Sequence, residues 1–101
     1  MVENSDEKFF RGYILVRLSK IGVEWNLANR VMTYKPVEGK WKVTYATPVF
    51  GPWDVIIEIS FKKLEDLDEV VTKMREDEEI RGSIEETTTL VSSKPNYPAL
   101  P

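Results

Sequence analysis

Residues 41–61 read WKVTYATPVFGPWDVIIEISF. The first half sets Trp41, Val43, Tyr45, Thr47 and Val49 against Lys42, Thr44, Ala46, Pro48 and Phe50; the second places Trp53, Val55, Ile57, Ile59 and Phe61 on one side. A two-residue period is that of a half-buried strand. Gly51-Pro52 between the runs is a turn signal, so the stretch predicts a β-hairpin. Pro48 cannot donate to a ladder, which places it at a strand end or on a sheet edge.

Upstream, residues 9–18 (FFRGYILVRL) also alternate, with Gly12, Ile14, Val16 and Leu18 on one side and Arg11, Tyr13, Leu15 and Arg17 on the other. Between this strand and the hairpin, Val23, Leu27, Val31 and Tyr34 recur at helical spacing, and Pro36 and Gly39 stop the helix. Downstream, Leu64, Leu67, Val70, Val71 and Met74 form a second helical stripe; Glu65, Asp66, Asp68 and Glu69 stand early in it, where the helix dipole favours carboxylates. Residues 80–91 (IRGSIEETTTLV) suit a pleated strand. The predicted order is βαββαβ, an α+β, ferredoxin-like fold of the dimeric α/β barrel type: a four-stranded antiparallel sheet with two helices on one face. Residues 1–8 read as a polar N-terminal tail, 9–92 as one domain and 93–101 as a Pro-rich C-terminal tail.

The uncovered sheet face would expose Tyr13, Leu15 and Ile56. An apolar patch of that kind is hidden most simply against a second copy, so the pattern predicts a two-fold dimer built sheet on sheet through these residues.

Composition narrows the chemistry. The chain of 101 residues has no His and no Cys, which removes imidazole bases, thiolate nucleophiles, histidine-ligated haem and the usual zinc sites. No metal or cofactor is expected. The net charge is −3, and Arg11, Arg17, Lys20, Arg30, Lys35, Lys40 and Lys42 are scattered singly rather than gathered into a phosphate-binding stripe, so direct nucleic-acid binding is not expected. MVENSDEK is no signal peptide, and no apolar run is long enough to span a membrane. The expected location is cytoplasmic.

Gly51-Pro52-Trp53-Asp54 is the most informative tetrapeptide, because it sets a carboxylate at the mouth of an otherwise apolar strand. Asp54 either receives a cationic ligand group such as an ammonium, or caps the turn or pairs with a neighbouring basic side chain. In Glu85-Glu86-Thr87-Thr88-Thr89-Leu90, neighbouring side chains alternate in face, so Glu85 and Glu86 do not make a close carboxylate pair. The threonines either pack as ordinary strand residues or offer hydroxyls to a ligand carboxylate. Trp25, Trp41 and Trp53 read as core or interface anchors.

The order of elements, the Gly51-x-Trp53-Asp54 turn, the apolar Val55-Ile56-Ile57, the Leu64-Glu65-Asp66-Leu67 helix start and the Thr-rich final strand together resemble the effector-binding (RAM) domain of the Lrp/AsnC transcription regulators, over about residues 10–92. The resemblance implies dimers joined through their sheets, rings of dimers up to an octamer, and small amino-acid-like effectors held at dimer–dimer contacts. Carried over by position, Gly51, Pro52, Trp53 and Asp54 would line the site, with Thr87, Thr88 or Thr89 closing it. The family's helix-turn-helix has no counterpart in the polar residues before the first strand, which implies a stand-alone, non-enzymatic module with full-length Lrp/AsnC regulators as possible partners. Two alternatives differ in kind: a structural assembly module without ligand, and a cofactor-independent α+β barrel enzyme of the monooxygenase or isomerase type, with a cavity between sheet and helices.

Overall fold

The computed structural model describes residues 8–37 and 40–92. The expected N-terminal tail apart from Lys8, the expected C-terminal tail and the helix-stopping Gly39 lie outside the described residues. The elements are β1 (Phe10–Leu18), α1 (Glu24–Val31), β2 (Trp41–Pro48), β3 (Val55–Phe61), α2 (Leu64–Glu76) and β4 (Ile84–Val91), with a single 3₁₀ turn, Arg81–Ser83, before β4.

The four strands form one antiparallel sheet in the order β2-β3-β1-β4. β1 and β3 are central, and their alternation is the expected one: Ile14, Val16 and Leu18 on β1 and Val55, Ile57, Ile59 and Phe61 on β3 are buried. They meet Leu27, Ala28 and Val31 of α1 and Leu67, Val70 and Met74 of α2 in one core. Each such side chain contributes about 1.5–3 kcal/mol when fully buried. Gly12 marks the closest approach of α2, since a Cβ there would stand 3.0 Å from Leu67 Cδ2 and 3.0 Å from the Phe61 ring.

Local chemistry sets the helix ends. The buried Asp66 carboxylate accepts the backbone N–H groups of Lys62 (3.0 Å) and Lys63 (3.1 Å), capping the start of α2. Leu64, expected in the buried stripe, is 65% exposed, because the stripe begins one turn later at Leu67. At the end of α1, Thr33 Oγ1 donates to the Arg30 carbonyl (2.6 Å), and Pro36 disfavours helical backbone just beyond. Tyr34 therefore lies past the helix, yet it still packs on the core. The two helices are tied at their C-terminal ends by Asp77, which accepts from Arg30 Nε (2.8 Å), Arg30 Nη2 (3.3 Å), Tyr34 Oη (2.7 Å) and the Glu79 N–H (3.0 Å).

β2 departs from strict alternation. Its pairing with β3 shifts between Val43 and Tyr45, so Trp41 and Val43 face the helices while Tyr45 and Thr47 pair with Glu58 and Ile56 on the opposite face. Tyr45 is accordingly 56% exposed. Thr44 is the extra residue, as in a β-bulge, and its hydroxyl donates to Glu58 Oε1 (2.7 Å). β2 is an edge strand with Pro48 as its last residue, the position that a missing N–H tolerates.

Candidate ligand site

The turn between β2 and β3 closes through the Val49 N–H, which donates to the Asp54 carbonyl (3.0 Å). Gly51 takes φ +131°, a backbone region open to glycine and strained for other residues. Asp54 is anchored twice to β1. Its N–H donates to the Val16 carbonyl (2.8 Å), and its Oδ2 accepts the Leu18 N–H (2.7 Å). The carboxylate thus ties the residue before β3 to the end of β1, while the turn itself closes by a backbone bond; Oδ1 receives no hydrogen bond among the described residues.

Trp53 precedes β3 and is not part of the core cluster. Its ring instead lies under the Arg17 guanidinium, 4.7 Å from ring centroid to Cζ. Arg17 Nε donates to the Pro52 carbonyl (3.1 Å), and Nη1 pairs with Glu86 Oε1 of β4 (3.1 Å). One cation thus links the turn, the end of β1 and the start of β4. Sequence reading counted Arg17 only as a scattered basic residue and Glu86 only as one of two neighbouring carboxylates. The available signal was the alternation of β1, which places Arg17 at the open-face end of the strand.

The three threonines separate. Thr87 and Thr89 pair with the core-facing Val16 and Ile14, whereas Thr88 pairs with Leu15 on the other face. Thr87 takes a hydrogen bond from Arg75 Nη2 (3.4 Å) on the helix side. β1 lies between β4 and the strand that follows the turn, so Thr87 and Val55 stand two strand spacings apart, about 10 Å. A single chain brings Pro52 and Trp53 against Arg17 and ties Asp54 to Val16 and Leu18 of the same strand, but does not set the threonine hydroxyls against the turn. Glu85 falls at the register shift between β1 and β4, and Glu86 is engaged by Arg17.

On the face away from the helices, Tyr13, Leu15 and Ile56 are half-buried, with Leu15 paired to Ile56 on one side and to Thr88 on the other. Among them sits Glu58. It accepts from Tyr13 Oη (3.1 Å) and Thr44 Oγ1 (2.7 Å) and pairs with Arg11 Nη1 (3.0 Å). Burial pushes its pKa up, but the hydrogen bonds from Thr44 and Tyr13 and the charge of Arg11 outweigh that and hold it below the ordinary carboxylate value. Burial, and then Glu58, raise the Tyr13 phenol.

Among the described residues no cluster of carboxylates suits a metal ion, and no helix is long and apolar enough to cross a membrane. A cleft of about 700 Å³ opens along α2, lined by Val37, Lys63 and Glu69 among others, and takes no residue from the turn.

The fold is that of a ferredoxin-like α+β domain, and solved structures share it. The chain is similar to FFRP-DM1 (TM-score 0.61, 23% identity, covering 82% of this chain and 97% of that one) and to the hypothetical protein PHS023 from Pyrococcus horikoshii (0.62, 23%, 82% and 88%). It also matches PH0061 with TM-score 0.57 and 14% identity, over 93% of this chain and 59% of that chain. No family model matches the chain, and no curated protein does. The likeness to FFRP, that is Lrp-family, proteins read from the motifs thus holds at the level of the fold.

Proposed function

We propose that the chain is an oligomerisation and effector-binding module of the Lrp/AsnC type: two copies pack sheet on sheet, and a small amino-acid-like ligand binds at contacts between dimers beside Gly51, Pro52, Trp53 and Asp54. Full-length regulators of that type are its partners by co-assembly. It acts without a cofactor and without touching nucleic acid itself.

The observation that carries this reading is the state of the uncovered sheet face. Tyr13, Leu15 and Ile56 form an apolar strip there, and the carboxylate among them, Glu58, already has three partners. A charge must be paired before it enters a dry interface, and Glu58 meets that requirement within one chain. The space between sheet and helices, by contrast, is filled by side chains such as Ile14, Val16, Val31, Val55 and Met74, each at 0% exposure. That packing favours a binding module over an enzyme with a cavity beneath its helices.

Light scattering tests the assembly and a thermal-shift screen of the twenty amino acids tests the ligand. The expected results are a mass of at least twice the 11.7 kDa protomer and a shift for a subset of the amino acids. A monomer at micromolar concentration, or a flat response to all twenty at millimolar concentration, would overturn the corresponding half. One observation favours a ligand-free assembly module as second reading: Asp54 already spends Oδ2 on the Leu18 N–H. The same screen separates the two.

A further inference from the structure

We infer that Arg17 is the carboxylate-recognising residue of this site and that Glu86 is a built-in competitor which a ligand carboxylate displaces. The inference rests on the ligand-binding reading above and deepens it by naming the chemistry: a small monocarboxylate, carrying a cation beside it.

The guanidinium is pre-positioned on two sides. Its Cζ stands over the Trp53 ring, 4.7 Å from the centroid, and its Nε donates to the Pro52 carbonyl, so the Nη1–Nη2 edge is the part left to meet a ligand. Along that edge Nη1 contacts Glu86 Oε1 and Nη2 has no hydrogen bond among the described residues. A planar fork with a vacant arm is the geometry that a carboxylate fills with two parallel hydrogen bonds. Pre-positioning lowers the ordering cost of binding. The Glu86 contact is weakly defended, since the two side chains are 38% and 51% exposed and such pairs contribute little in water.

Charge selects the ligand. Arg17 is paired with Glu86, and the Val16–Val55 register sets Asp54, whose Oδ1 is unbonded, at the neighbouring position before β3. One cation beside two carboxylates repels a dianion such as phosphate. It accepts a monoanion that brings its own positive group, because the carboxylate then takes the place of Glu86 on Arg17 while the cation finds carboxylate oxygens nearby.

The test follows the Arg17 Nε–H and Trp53 indole N–H signals of the ¹⁵N-labelled full chain by NMR as sodium acetate is titrated against sodium chloride at matched ionic strength. Acetate is expected to give saturating shifts at both groups beyond those of chloride. Glu86→Gln is expected to lower the midpoint about threefold, the scale of an exposed ion pair. Arg17→Lys should weaken the response and Arg17→Gln abolish it, with the remaining amide spectrum showing that each variant is folded. Equal, non-saturating responses to acetate and chloride, or an unchanged midpoint in Glu86→Gln, would overturn the inference. An acetate response at Arg17 without any amino-acid binding upholds the carboxylate site while refuting the effector reading. Amino-acid binding that survives Arg17→Gln overturns the present inference alone.

Discussion

Asp54 and Asp77 are both carboxylates that fold the chain, and they are open to different experiments. Asp54→Ala leaves the buried Leu18 without an acceptor for its N–H, at a cost of about 1–2 kcal/mol, to be read from urea denaturation. Asp54→Asn keeps a side-chain oxygen for that N–H and removes the charge. Its stability should stay near wild type while affinity for an amino-acid ligand falls about tenfold or more, the scale of a lost charge-assisted hydrogen bond. Calorimetry that finds equal affinity in Asp54→Asn would leave the residue a purely structural role. Asp77 is held at about 2, below its ordinary 3.8, chiefly by the hydrogen bond from Arg30, against burial and with further help from Tyr34. A depressed folded-state value means stability that is present above pH 3.8 and lost as pH falls towards 2. Thermal melts of Asp77→Asn and wild type should therefore differ at pH 5–7 and converge between pH 4 and 2. Tyr34→Phe should cost about 0.5–1.5 kcal/mol at neutral pH by removing one donor to the same carboxylate.

At the scale of elements, Gly12 is the point where helix and strand meet most closely. Gly12→Ala forces Leu67 or Phe61 to give way and should cost about 1–3 kcal/mol, measurable as a lowered midpoint in urea. The elements themselves were legible in the sequence because their signals are local: Ile14-x-Val16-x-Leu18 and Val55-x-Ile57-x-Ile59-x-Phe61 carry the two-residue period, and Leu67, Val70 and Met74 the helical one. What escaped sequence reading depends on partners far along the chain. The shift at Thr44 takes its meaning from Glu58, on another strand. The burial of Asp66 follows from two backbone donors that turn back on it, although its neighbours Glu65 and Asp68 stay exposed as expected. The turn at Gly51 was legible from its glycine and proline, but the arginine that braces it arrives through the register of β1, β3 and β4, which no short window of sequence contains.

For the whole molecule, the prediction that matters most concerns the face without helices. Leu15→Glu sets a new carboxylate beside Ile56 and Thr88, close to the paired Glu58, and should convert the proposed dimer to monomers of 11.7 kDa in light scattering while the melting curve stays cooperative. A dimer of unchanged mass would place the interface elsewhere. The identity of this face also hangs on a single extra residue in β2. Were Thr44 instead to take the place opposite Glu58 in a regular ladder, Tyr45 and Thr47 would turn inward against the helices and Ala46 outward, whereas deleting Thr44 leaves the present pairs, and so the present faces, as they are. The deletion takes from the outer surface only the hydroxyl that donates to Glu58. A one-codon deletion at this place should thus leave the core intact and cost only about 0.5–1.5 kcal/mol, read from urea denaturation, for the lost hydrogen bond to Glu58, whereas a substitution of Thr44 by serine should keep that bond as well.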